Sequence, residues 1–98
     1  MISLVSVHPS NTKNKKLVAL FNIDGKLKRV NFGSKNSKTF IDHNDPIKKE
    51  NYIKRHTALG TEDFNDPLTP ASLSMHLLWG ATNDLELNIQ HFKHMFKL

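Results

Sequence analysis

Apolar and polar positions alternate with a period of two over the first third of the chain, and helix punctuation takes over from about residue 44. Ile2 to Val7 is a short β-branched run; Leu17 to Ile23 follows the polar stretch Pro9 to Lys16, and Asp24-Gly25 then separates it from Lys26 to Phe32. Asp-Gly between two such runs predicts a two-residue type I′ hairpin turn, in which both central residues need positive φ. The turn sets the register. Ile23 is expected opposite Lys26, Phe21 opposite Lys28, Ala19 opposite Val30 and Leu17 opposite Phe32, all on one face. Val18, Leu20, Leu27, Arg29 and Asn31 then share the other. One face is therefore apolar at the open end of the hairpin, and the cations Lys26, Lys28 and Arg29 are divided between both faces. Gly33 is expected to end the strand.

Three helices are predicted after the sheet. Asn44 and Asp45 precede Pro46, a cap followed by proline in the first turn, and Ile47 to His56 continues without a breaker, so Arg55 and His56 fall at the helix end. Thr69-Pro70 repeats the start signal; Leu73 and Leu77 share a stripe, and Gly80 supplies the stop. Asn83 with Glu86 forms a capping-box pattern, and Leu85, Ile89, Phe92 and Phe96 follow at spacings of four, three and four residues. Residues 9 to 16 and 34 to 43 read as loose connections. No internal repeat is present.

With 98 residues the chain has room for one domain. No cysteine is present, which excludes disulfides, thiolate metal sites and cysteine nucleophiles. No stretch reaches the ~18 apolar residues of a membrane span, and the opening lacks the basic flank and apolar run of a secretory signal. A soluble intracellular protein is expected. The net charge of +5 is unevenly distributed. Residues 1–56 hold twelve Lys/Arg and four Asp/Glu, whereas residues 57–98 hold two and five. Such polarity points either to an anionic partner or to attraction between the two halves of the molecule.

Catalytic and metal chemistry find little support. His91 and His94 stand three apart on the last predicted helix, but no third ligand follows at a diagnostic spacing. Glu62, Asp63 and Asp66 fit the turn and cap chemistry of a loop better than an acid-base pair. Gly33-Ser34-Lys35 lacks the glycine spacing of a phosphate loop. No metal, cofactor or catalytic residue is assigned. The basic residues carry more. Lys13, Lys15 and Lys16 crowd one loop, Lys26, Lys28 and Arg29 flank the hairpin turn, Lys35 and Lys38 follow the strand, and Lys48, Lys49, Lys54 and Arg55 decorate the first helix. At 100° per residue Lys48 and Arg55 lie within ~20° of each other, which makes a basic ridge. The candidate nucleic-acid-binding set is Lys26, Lys28, Arg29, Lys35, Lys48, Lys49, Lys54 and Arg55. If roughly six groups met phosphates, affinity for duplex DNA would fall with salt at a log-log slope of about −5. The competing reading is a solvated lysine-rich surface.

Order-specific blocks run along nearly the whole chain: Val5-Ser6-Val7-His8-Pro9-Ser10, Arg29-Val30-Asn31-Phe32-Gly33, His43-Asn44-Asp45-Pro46, Tyr52-Ile53-Lys54-Arg55-His56, Asn65-Asp66-Pro67-Leu68-Thr69, Leu77-Leu78-Trp79, and Ile89 to Phe96. In these blocks the sequence resembles an uncharacterised family of small basic proteins encoded by large nucleocytoplasmic DNA viruses. The resemblance implies a viral gene product acting in the host-cell interior, with the virion as a further location, and it implies no activity. Thr39-Phe40-Ile41 stands where those proteins tend to have Asp-Tyr-Thr, and Phe64 where they usually have Trp. The first change loses an acid and a phenol, which argues against a catalytic or metal role there; the second keeps apolar bulk.

The expectation is an α+β domain over residues 1–98, with an N-terminal antiparallel β-hairpin or three-stranded sheet packed against three C-terminal helices. The expected function is non-enzymatic: nucleic-acid binding without sequence preference, in genome packaging or regulation. The alternative is a virion structural or cement protein contacting capsid proteins through apolar patches around Trp79, Phe92 and Phe96.

Overall fold

The computed structural model describes residues 1–60 and 64–98; Glu62 and Asp63 of the acidic group lie outside the described residues. Strands β1 (Ile2–Pro9), β2 (Lys15–Ile23) and β3 (Lys26–Ser34) form an antiparallel meander in the order β1-β2-β3. The hairpin has the register its turn dictates, with Ile23 opposite Lys26, Phe21 opposite Lys28, Ala19 opposite Val30 and Leu17 opposite Phe32. Asp24 and Gly25 both take positive φ, 52° and 90°. β1 adds the third strand with a bulge. Leu4 pairs with Phe21 and Ser6 with Leu20, so Val5 is the extra residue. Beyond it the alternation reverses, and Val7, opposite Ala19, joins Ile2 and Leu4 on the inner face.

The helical part begins earlier than expected. Helix α1 (Phe40–His43) is a single turn opened by Thr39, whose backbone amide donates to Asp42 Oδ2 at 2.8 Å. Residues 34 to 43 are thus only partly loose. Helix α2 (Pro46–Leu59) starts at Asp45, whose Oδ1 accepts from the amides of Ile47 at 3.0 Å and Lys48 at 3.4 Å. It runs three residues past His56 and is closed by Gly60 at φ 65°. His56 therefore falls in the last turn of the helix and Arg55 one residue before that turn.

The second predicted helix is two structures in series. Helix α3 (Pro70–Leu73) is capped by Thr69 and passes into a π-helical turn, Ser74–Leu78, where the Trp79 amide reaches the Ser74 carbonyl. Helix α4 (Leu85–Phe96) is capped by Asp84, not Asn83; Asp84 Oδ1 accepts from Glu86 at 3.0 Å and Leu87 at 3.4 Å. Glu86 then stands one position too early to close a box with Asp84, whose third helical residue is Leu87.

Leu4, Leu17, Ala19, Phe21, Val30 and Phe32 make the inner sheet face, and Leu73, Leu77, Leu78 and Phe92 pack into the same core. Fully burying each Leu or Phe contributes ~1.5–3 kcal/mol relative to exposure. Asn88, also buried, donates from Nδ2 to the carbonyls of Leu77 and Thr82 and accepts at Oδ1 from the Thr82 amide and hydroxyl. It locks the 77–82 connection onto α4 with all of its polar groups satisfied. The apolar patch expected around Trp79, Phe92 and Phe96 is largely absent. Trp79 is 9% exposed and Phe92 fully buried, because both fill the core, and only Phe96 keeps partial access. No helix among the described residues is long and apolar enough to cross a membrane.

Candidate nucleic-acid interface

Helix α2 leaves Ile47 exposed, and Tyr52 packs the helix against the core. At positions i, i+3, i+4 and i+7, Lys48, Asn51, Tyr52 and Arg55 fall along one side. Tyr52 anchors that side: its ring stacks on the Trp79 indole with centroids 4.2 Å apart and planes at 7°. The His56 imidazole lies 4.1 Å from the same phenol ring. Two rings that close cannot share one face, so the phenol sits between indole and imidazole. Past the indole, His43 is 5.3 Å away. His43 Nδ1 accepts from the Asp45 amide at 3.0 Å, which ties the column to the start of α2.

Facing this side is the 34–39 segment that leaves β3. Lys16 fixes it, donating from Nζ to the Ser37 carbonyl at 2.9 Å and to Asp42 Oδ2 at 3.0 Å. Burial pushes the Asp42 carboxyl up, but the Thr39 amide, the Lys16 ammonium and the Thr39 hydroxyl outweigh it, and the net shift is below the ordinary aspartate value. Between α2 and this segment run two adjoining cavities of about 280 Å³ each, which share Ser37, Tyr52, Arg55 and Trp79. Lys38 and Lys48 line one; Ser34, Thr39 and His56 line the other. The groove thus carries cations from both walls over an aromatic floor. Among the described residues no carboxylate lines it, and none pairs with Lys38, Lys48 or Arg55. An anion entering here meets positive charge from both walls.

Of the eight basic residues chosen from the sequence, the groove takes Lys48 and Arg55. Lys49 turns away and holds its ammonium 4.8 Å from the centre of the Phe40 ring. Lys54 pairs with Glu50 at 3.0 Å on another side of α2, beside Pro46 and Ile53. Lys26 and Lys28 are exposed near the hairpin tip, seven and five residues along β3 from Gly33, or ~23 and ~17 Å. Arg29 lies on the outer sheet face, in a cavity of about 400 Å³ with His8, Asn11, Thr12, Val18, Leu20 and Asn31. Lys35 is exposed at the strand exit, with its amide donating to the Asn14 carbonyl.

The groove's other members were not selected from the sequence: Lys38, Asn51, Tyr52, His56 and Trp79. The i+4 placement of Tyr52 after Lys48, and of His56 after Tyr52, was the available signal. His91 and His94 are exposed on α4, and no group of three metal-ligating side chains occurs among the described residues. Asp66 acts as a turn residue, its Oδ1 accepting from the Leu68 amide.

Residues 5–56 match a family described as a family of unknown function, DUF5754. That segment contains Lys38, Lys48, Tyr52, Arg55 and His56 and ends before Trp79. No curated protein and no solved structure matches the chain.

Proposed function

Because the chain belongs to the DUF5754 family, which brings no activity with it, we propose its function from geometry: non-enzymatic binding of nucleic acid through phosphate contacts in the groove between α2 and the 34–39 segment. The observation that carries this reading is the convergence of Lys38, Lys48 and Arg55 on one groove with no carboxylate among its described lining residues. Arg55 offers a planar fork of donors suited to a phosphate, and the two lysines act as point charges. Contacts to phosphate carry no sequence information, so the binding is expected to be independent of sequence. The resemblance to proteins of large DNA viruses supports a role in packaging or regulating a viral genome in the infected cell.

Three converging cations make the interaction weaker and less salt-sensitive than a contact by all eight would be. For duplex DNA the log-log salt slope is expected near −2.7, a loss of about 40-fold in affinity between 50 and 200 mM salt. Anisotropy titrations of random-sequence DNA check this. Replacing Lys38, Lys48 and Arg55 together by Ala should abolish the salt-sensitive binding, while Lys26→Ala with Lys28→Ala should leave it within about twofold. No binding at 50 mM salt, or an equal loss in both variants, would defeat the proposal.

A further inference from the structure

The outer face of the sheet, turned away from the helices, carries a site that the groove does not use. We propose that it binds a small amphiphilic carboxylate, with the acid group on Arg29 and the apolar body on Val18 and Leu20. The niche is the cavity of about 400 Å³ on that face, a volume within the range of small-ligand pockets. Its layout follows from the strand register. Val18 stands opposite Asn31 and Leu20 opposite Arg29 on β3, while on β1 the same two residues face His8 and Ser6. Arg29 and Asn31 are two residues apart on one strand, so they share a face ~7 Å from each other.

A connection bent over the sheet gives the niche its depth. Ser10, just past the end of β1, donates its hydroxyl to Asn31 Oδ1 on β3, and β2 lies between those two strands. The bond therefore arches over β2 beside Val18. The Thr12 amide donates in turn to Ser10 Oγ at 3.0 Å, which draws Asn11 and Thr12 in as a wall. Asn31, held by its carbonyl oxygen, keeps its carboxamide NH2 as a donor. His8 bounds the β1 side, with Nε2 3.0 Å from Ser6 Oγ.

Charge and floor together select the ligand. Among the described residues no carboxylate lines the niche, and none pairs with Arg29. Lys26 and Lys28 stand opposite Ile23 and Phe21, on the other face of the hairpin, and neither lines it. Arg29 is thus the one permanent cation among the lining residues. A single charge matches a monoanion, and the planar fork of guanidinium donors fits the two oxygens of a carboxylate. Val18 and Leu20 are half-buried aliphatic side chains, so a hydrocarbon body laid on them takes apolar surface out of water on both partners. A nucleic-acid strand has a charge on every nucleotide and no such body, which suits the groove with its three cations and not this niche.

Arg29 and Arg55 are the only arginines in the chain, so their Nε–H signals compare niche and groove in one spectrum. The full nitrogen-15-labelled chain is titrated at constant ionic strength with hexanoate, with acetate, which keeps the charge without the body, and with hexan-1-ol, which keeps the body without the charge. Hexanoate is expected to shift Arg29 Nε–H, the Asn31 carboxamide and the Val18 and Leu20 amides with a Kd of about 5 mM, the scale for eight non-hydrogen atoms. Acetate and hexan-1-ol should bind at least fivefold more weakly, and Arg55 should not move. Arg29 is exposed, so Arg29→Gln leaves the core untouched; it should weaken hexanoate at least tenfold and leave DNA binding within twofold. Equal affinity for acetate or hexan-1-ol, an equal response at Arg55, or no response to 50 mM hexanoate would overturn the proposal without touching the groove. Loss of DNA binding in Arg29→Gln would instead put nucleic acid on this face and overturn it as well.

Discussion

Gly33 shows how a single residue positions the groove. Its φ is 77°, and a Cβ added there would lie 2.8 Å from Leu78 Cδ1 and 3.1 Å from Lys16 Cβ. The left-handed conformation alone costs a non-glycine residue ~1–2 kcal/mol. Leu78 is part of the packed core and has little room to retreat. Gly33→Ala is expected to lower unfolding stability by about 2 kcal/mol or more, read as a shift of the urea midpoint at constant m value. The sequence marks Gly33 as the strand exit because turn residues act locally. It does not reveal the approach of Leu78, which depends on how the π-helical turn settles on β3. Asn88 is a parallel case: an amide next to an apolar stripe reads as solvated until the 77–82 connection folds over it and satisfies its four bonds.

At the scale of elements, starts and turns were legible wherever a side chain acts on amides two or three residues away. Asp45 before Pro46, Thr69 before Pro70 and Asp24-Gly25 are of this kind. Asp45→Ala removes the acceptor for two orphan amides and should cost about 1 kcal/mol of stability. It should also fray the first turn of α2, which holds Lys48, and so weaken DNA binding; Asp45→Asn should restore both. Thermal melts and anisotropy on the two variants check the pair. The β1 bulge was missed, although its signal was present: apolar residues fall at 2 and 4, then at 5 and 7, a reversal of phase that one extra residue explains. The one-turn helix α1 escaped because four residues contain too little periodicity to register. The π-helical turn escaped because its widened hydrogen bond leaves no compositional mark.

For the molecule as a whole, the Lys16 contacts join the sheet to the 34–39 segment and to α1. Asp42 is the ionisable partner, and its folded-state value lies below the ordinary one. A depressed carboxylate contributes stability that is present above the unfolded value of ~3.9 and is lost as pH falls through the folded value. Asp42→Asn should therefore be less stable than the parent at pH 7, and the difference should shrink below about pH 4, as urea titrations from pH 7 to 2.5 would show. A constant difference across that range would mean that the carboxylate's charge plays no part. By itself the sequence determined the α+β class, the hairpin register and most helix starts, because turns, caps and periodicity act between residues within about a turn of one another. Tertiary structure alone decided which cations share a groove, because side chains on one helix point in different directions and Lys38, Arg55 and Trp79 meet only after the chain packs. The composition supplied the charge, and the fold chose where three of those charges face one another across a row of aromatic rings.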